Sequence, residues 1–220
     1  MEMKTQIREK LDTLVEAFQS VLYEEDEIFL KNMETKSLAG DDVRRYMFWE
    51  WTQGVGLYGL WKYFESTHDM KYLDMLTKFY NQRLKEGLPA KNINTMAPLL
   101  ALSCLYEYTE KEEYGEVCRE WAEWLMEEAP RTKERGLQHL TSDTWNDQEL
   151  WDDTLFMAVL FLGNLGRISG NQEYIEEAEY QFLLHTKYLA DKKTGLWFHG
   201  FTFNGNHNFA EALWGRGNCW

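Results

Sequence analysis

A chain of 220 residues, 44% hydrophobic and 15% aromatic, is long enough for one substantial core and too apolar to be disordered. Its formal net charge of -14 offers no basic footprint for nucleic acid, so an anionic small molecule would have to be held by a few local donors against the general field. Ten Trp, twelve Tyr and twelve Phe point either to a stacking surface for rings, sugars included, or to an aromatic-rich helical core.

In chain order the sequence reads as helix after helix, interrupted by only three prolines. The first helix is expected from Gln6 to Tyr23, with Leu11, Leu14, Val15 and Phe18 on one stripe, followed by a loop through Lys36 to Asp42. Next comes YMFWEWTQGVGLYGLWKYFEST, an apolar helix interrupted by Gly54, Gly56 and Gly59. Each glycine costs about 1 kcal/mol against Ala there, which is tolerable where helices pack closely or a ligand approaches. Trp49, Trp51 and Thr52 stand at its entry, where a pocket rim would lie. Asp69 to Lys85 forms the next helix, buried through Tyr72, Leu73, Leu76, Phe79 and Tyr80 and ended by Gly87 and Pro89. Pro98 opens a helix carrying Leu99, Leu102, Leu105 and Tyr106, and Glu112 to Glu128 forms another, stopped by Pro130. The long polar loop PRTKERGLQHLTSDTWN follows, of a length that is often functional in compact domains.

The loop delivers the chain to Asp147–Leu165, DQELWDDTLFMAVLFLGNL. On a helical period Asp153 shares a stripe with Phe156, Met157 and Leu160, whereas Asp152 points about 100° away. Asp153 therefore faces the interior, where its pKa should rise as a general acid near neutral pH requires, with Trp151 beside it as a sugar-stacking ring. The same acids, Asp147, Glu149, Asp152 and Asp153, would also complement the positive end of a helix dipole. Gly170 and Asn171 make a turn, Gln172 to Leu189 is helical, and TGLWFHGFTFNGNHNFAEALWGRGNCW has poor helix propensity until about Phe209, which suits a site-lining loop.

Three polar turns, each leading through acids to a tyrosine (Tyr72, Tyr114, Tyr174) and an apolar helical face, echo one another at spacings of 42 and 60 residues. That irregularity argues against a tetratricopeptide array and for a helical toroid or barrel with unequal loops. Cys104, Cys118 and Cys219 are odd in number and lack ligand spacing, so they read as reduced, buried thiols. The N-terminus lacks the apolar core of a signal peptide and no run approaches a membrane span. The expectation is a cytoplasmic protein that engages neither membrane nor nucleic acid.

The series PRT, GLQH, ELWDDTLFMA, TGLWFHGF and LWGRGNCW resembles the unsaturated rhamnogalacturonyl hydrolases, glycoside hydrolase family 105, and the related unsaturated glucuronyl hydrolases of family 88. A Trp-x-Asp-x-Leu-aromatic-Met run is present as Trp151, Asp153, Leu155, Phe156 and Met157, and a Trp-x-Arg-x-x-x-Trp run as Trp214, Arg216 and Trp220. The resemblance implies an all-α chain, a single domain over residues 1–220 built as an (α/α)6 toroid of helical hairpins. It implies a glycosidase that removes a 4,5-unsaturated uronic acid from the non-reducing end of lyase-generated oligosaccharides by hydrating its vinyl ether, with no metal and no cofactor. Asp153 would be the acid and later the base, Arg216 would pair with the uronate carboxylate, and His199 would bind the sugar. Trp151, Trp214 and Trp220 would wall the pocket, with Trp51 from the glycine-rich inner helix.

Two departures stand out. Where the family usually carries an aspartate ahead of Ala-Pro, NINTMAP supplies Asn94, which can hydrogen-bond a hydroxyl but cannot share a proton. The family also continues past the position of Trp220. About seven long helices are expected here, against the twelve of a six-hairpin ring, so the toroid is expected to be incomplete, with Arg216 and Trp220 at a frayed end and an open flank that drives self-association. A helical-hairpin interaction module and a catalytically inactive relative remain the alternative readings.

Overall fold

Side-chain caps fix the starts of several helices. The Asp69 carboxylate accepts from Lys71 N (3.1 Å), Asn171 Oδ1 from Glu173 N (3.0 Å) and Asn92 Oδ1 from Thr95 N (3.0 Å), each satisfying a first-turn donor that has no intrahelical partner. The computed structural model describes residues 2–25, 27–28, 31 and 43–220; the loop expected over residues 36–42 lies outside them. The helices are α1 Glu2–Val21, α2 Val43–Phe48, α3 Trp51–Thr67, α4 Met70–Glu86, α5 Ile93–Met96, α6 Pro98–Thr109, α7 Glu112–Glu127, α8 Leu160–Ser169 and α9 Gln172–Leu189. A π-helical turn, Leu155–Val159, leads directly into α8. With that turn counted in α8, seven of these are long, as expected.

Helix α3 packs on α6 and α6 on α8, while α4, α7 and α9 each fold back on the helix before them. Three inner helices thus lie side by side, each backed by an outer one, which is the hairpin arrangement of an α/α toroid. The composition explains the layers. In α6 Leu99 through Ser103 are all buried, as a helix surrounded by neighbours requires, whereas α7 buries only the stripe Tyr114, Gly115, Cys118, Trp121, Ala122 and Leu125. The echoed tyrosines mark the outer layer: Tyr72, Tyr114 and Tyr174 are each the third residue of an outer helix. The Tyr72 hydroxyl donates to Asp12 Oδ1 of α1 (2.6 Å) and that of Tyr114 to Asn81 Oδ1 of α4 (2.8 Å). Two of the three glycines in α3 answer to packing. A Cβ on Gly54 would sit 2.5 Å from the Ala97 backbone at the joint of α5 and α6, and one on Gly56 would sit 2.1 Å from the Phe18 ring, but one on Gly59 meets nothing within 4 Å.

The acid-headed helix expected from Asp147 is corrected by the structure. Glu149–Trp151 is strand β1, paired antiparallel with β2, Gly200–Thr202, in the register Leu150 to Phe201. Asn146 and Gln148 hold positive φ (50° and 59°), which breaks any helix before it reaches the acids. The long loop is ordered, since Leu140 O accepts from Ile93 N (2.9 Å), Glu149 O from His139 N (3.1 Å), and Gln181 of α9 binds both Leu137 N and Arg135 O. Past β2 the chain forms two short 3₁₀ turns, Phe209–Glu211 and Gly217–Cys219, in keeping with the low helix propensity expected of this segment. Of the three thiols, Cys118 is buried, Cys104 half-buried and Cys219 exposed, so the expectation of three buried cysteines fails at the last. Among the described residues no helix is long and apolar enough to cross a membrane.

Candidate active site

The strand pair aims the acidic dipeptide. Pairing of Trp151 with Gly200 and the bond from Asp152 N to His199 O (2.9 Å) fix the chain as it leaves β1. The next residues turn into the π-helical segment, an irregularity that recurs at functional sites. Asp152 (3% exposed) and Asp153 (8%) are therefore both buried, and the sequence-based expectation that Asp152 points away does not hold. Asp152 Oδ1 accepts from Asp153 N (3.1 Å), while its Oδ2 finds no hydrogen-bond partner and lies against Gly217, where a Cβ would come within 2.0 Å. Asp153 Oδ2 lies 3.3 Å from His199 Nε2, inside ion-pair range but off hydrogen-bond geometry. Ligand-type atoms of Asp152, Asp153 and His199 all fall within 4.8 Å of one another, and among the described residues this is the one trio close enough to share a cation.

Two carboxyls so close and so buried cannot both ionise cheaply. Burial, then the charge of Asp153, pushes the Asp152 carboxyl up to about 8. Burial also acts to raise Asp153, but His199, His139 and Asp152 outweigh it and hold Asp153 below the usual carboxylate range. The raised carboxyl is thus Asp152, the reverse of the sequence-based expectation, because the strand pair buries the neighbour as well and hands Asp153 the imidazoles. Burial drives His139 down to about 4, so this imidazole is neutral at physiological pH. Its Nδ1 lies 2.9 Å from Thr154 Oγ1.

Aromatic rings link these groups to the rest of the site. His139 lies flat on Trp151 (4.4 Å, 8°), Trp151 meets the His199 ring at 4.8 Å, and His199 meets Trp214 at 4.6 Å. The other side of the cluster carries a cation. The Arg216 guanidinium lies 4.2 Å from the Trp214 ring and 4.8 Å from that of Trp51, a contact suited to its planar, weakly hydrated charge. Trp220 meets Phe156 of the π turn at 5.0 Å and Trp51 at 6.1 Å. The expected frayed segment is in fact pinned, because Asn218 accepts from Trp197 N (2.8 Å) and donates to Trp197 O (2.9 Å). A cavity of about 240 Å³ opens beside Asp152, walled by Leu155, Phe156, Trp197, Gly217 and Trp220.

The structure therefore brings Trp51, Trp151, Asp153, His199, Trp214, Arg216 and Trp220 into one connected cluster. Asn94 lies on α5, which packs against the π turn just after Asp153. Sequence reasoning passed over three participants. His139 stood in the quoted GLQH run without a role, Asp152 was expected to face away, and Glu50, an acid between two tryptophans in an apolar run, is buried next to Asn94.

Layered helical hairpins around a buried acidic pair with indole walls define an α/α toroid whose site lies at the inner-helix ends. The profile of Glycosyl Hydrolase Family 88 matches residues 24–220, and the chain belongs to that family. It is similar to the unsaturated rhamnogalacturonyl hydrolase YesR of Bacillus subtilis (strain 168), with 32% identity over 174 residues, 78% of this chain and 51% of that protein. A crystal structure from Salmonella enterica serovar Paratyphi A, described as a possible member of the GH105 family, is 42% identical, covers 97% of this chain and 57% of its own, and gives a TM-score of 0.82. One from Klebsiella pneumoniae with the same description is 41% identical over 94% of this chain and 56% of its own, with a TM-score of 0.78. The chain thus spans about half the length of the curated relative it matches.

Proposed function

We propose that this site removes a 4,5-unsaturated uronic acid from the non-reducing end of oligosaccharides produced by polysaccharide lyases. The observation that carries the reading is the Trp214 ring, which lies at 4.6 Å from His199, the neighbour of Asp153, and at 4.2 Å from Arg216. It sets a proton-handling group and a planar cation on one wall. An unsaturated uronate needs both, a proton for its alkene and a counter-charge for its carboxylate. YesR is an unsaturated rhamnogalacturonyl hydrolase by name, which makes lyase-cut rhamnogalacturonan the first substrate class to offer.

In this reading the Asp152–Asp153 pair holds one proton at neutral pH and Asp153 delivers it to C4 of the vinyl ether. Positive charge develops at C5 and the ring oxygen. Water adds at C5 and gives its proton back to the Asp153 carboxylate, and the resulting hemiketal opens to leave a hemiacetal that releases the sugar. Arg216 pairs with the uronate carboxylate, His199 and Asn94 bind hydroxyls, and Trp51, Trp151, Trp214 and Trp220 wall the ring. A reducing compartment, the cytoplasm, fits the three unpaired thiols. A second reading follows from the raised Asp152 carboxyl: Asp152 itself is the acid, and Asp153 only orients it. Reaction in deuterium oxide separates this chemistry from ordinary glycoside hydrolysis. Hydration places one deuterium at C4 of the released sugar acid, seen by NMR, whereas direct cleavage of the glycosidic bond leaves the alkene intact and overturns the proposal.

A further inference from the structure

Asp152, Asp153 and His199 share a property that the mechanism above does not use. Each carries a buried polar atom without a hydrogen-bond partner: Asp152 Oδ2, Asp153 Oδ2 and His199 Nε2. A buried oxygen or nitrogen left in this way costs about 1–3 kcal/mol, and in a native fold it marks a catalytic role or a place for a water or an ion. Asp153, 8% exposed, turns its unpartnered Oδ2 toward His199 Nε2 at 3.3 Å. One ligand atom from each of the three residues lies within 4.8 Å of the other two, so three donors gather around one point.

A divalent cation fits that donor set. Its charge cancels the two carboxylates, and coordination is one of the two ways in which proteins keep charges buried. An imidazole nitrogen beside carboxylate oxygens suits Zn2+ better than Mg2+ or Ca2+, which take about six or more ligands, nearly all oxygens. Bonds of about 2.0–2.1 Å at tetrahedral angles set neighbouring ligand atoms about 3.3 Å apart, and Asp153 Oδ2 and His199 Nε2 already stand at 3.3 Å. Wider separations close by rotation of a carboxylate about χ2, a soft torsion. The cavity beside Asp152 admits the ion and leaves room for a fourth ligand.

We infer that Asp152, Asp153 and His199 form a binding site for one Zn2+-type divalent cation, with three protein ligands and an open fourth position, and that the bound ion blocks hydrolysis. The site itself stands on the geometry above. The blocking rests on the proposed function: the ion occupies the Asp153 lone pair that carries the proton to the alkene and the His199 nitrogen offered to the sugar, so chemistry and substrate binding are lost together. The site is therefore inhibitory, and a chelator restores the enzyme.

The test titrates the tag-free 220-residue chain, stripped of metal by a chelator, with Co2+ and then with Zn2+. Wild type is expected to bind one Co2+ per chain with the strong visible absorption of a four- or five-coordinate centre, and Zn2+ should displace it. Asp152→Asn and His199→Gln should each weaken binding by at least about tenfold, since loss even of a residue that merely supports a ligand costs that much. The exposed thiol of Cys219 is the rival ligand, so Cys219→Ser should leave stoichiometry and spectrum unchanged. Absence of saturable binding, binding that both ligand variants retain, or binding lost in Cys219→Ser overturns the site. Should His199→Gln fail to fold, Asp152→Asn, nearly isosteric, decides alone. With lyase-generated oligosaccharide, one equivalent of Zn2+ is expected to stop loss of the alkene and a chelator to restore it. Turnover that persists or rises with the site filled overturns the blocking role. Absence of turnover in the metal-free wild type, with the Co2+ spectrum present, counts against the proposed function and leaves the cation site supported.

Discussion

Replacing Asp152 with Asn should make the protein relatively more stable as pH rises. The Asp152 carboxyl is buried, its Oδ2 has no hydrogen-bond partner, and its pKa is pushed up to about 8 from an unfolded value of about 3.9. Between those limits the native state binds a proton that the unfolded state has lost, so native stability falls with rising pH, by at most about 1.4 kcal/mol per pH unit. Over the two units from about pH 5 to about pH 7 the ceiling is about 2.7 kcal/mol, which sharing of the proton with Asp153 and partial solvent access reduce to about 1–2 kcal/mol. Asn is nearly isosteric and cannot ionise, so it removes this slope. Glu50, raised in the same sense, and His139 and His185, both lowered to about 4 and stabilising as pH climbs toward 6.5, contribute equally to both proteins and cancel in the difference. Urea unfolding followed by tryptophan fluorescence at each pH gives the quantity directly. The stability of Asp152→Asn minus wild type should grow by about 1–2 kcal/mol from pH 5 to pH 7. A difference that stays flat, or shrinks, would refute the assignment of the proton to Asp152.

Arg216→Lys should weaken binding of a free uronate far more than of its methyl ester, because a point charge cannot reproduce the bidentate fork; equal effects in calorimetric titrations of the two ligands would remove the carboxylate role. Gly54→Ala should lower stability by about 1–3 kcal/mol through overpacking against the Ala97 backbone, whereas Gly59→Ala, with open space around it, should raise stability by up to about 1 kcal/mol; thermal melts that rank them the other way would contradict the close packing of α3 on α6. Leu160, Phe182, Leu183, Leu196 and Leu213 are 40–68% exposed, so this chain should self-associate, and Leu183→Lys should reduce the association. Light scattering that finds a monomer for both would dispose of that interface.

The helices and their order were legible because a 3.6-residue apolar period and side-chain caps are local signals. The echo at Tyr72, Tyr114 and Tyr174 was legible as a repeating unit for the same reason, and the structure puts each of the three at the start of an outer helix. The acidic pair was half legible. Asp153 and its imidazole neighbour could be found from motif runs, but the burial of Asp152 depends on β1 pairing with a strand that follows α9, and no helical period contains that information. Glu50 and His139 escaped because their partners Asn94, Ser142 and Thr154 come from other segments of the chain. Cys219 failed as a buried thiol because it sits on the exposed end of a 3₁₀ turn whose first residue, Gly217, is the buried one.

The most direct measurement follows the ultraviolet absorbance of the 4,5 double bond in lyase-digested rhamnogalacturonan incubated with wild type, Asp152→Asn and Asp153→Asn. Loss of a general acid typically lowers the rate by about 10² to 10⁴. The account predicts that wild type bleaches the alkene, that Asp153→Asn slows bleaching by at least that factor while retaining the wild-type fold, and that Asp152→Asn remains active with a shifted pH profile. Bleaching by Asp153→Asn within a few-fold of wild type, with Asp152→Asn inactive, would contradict it.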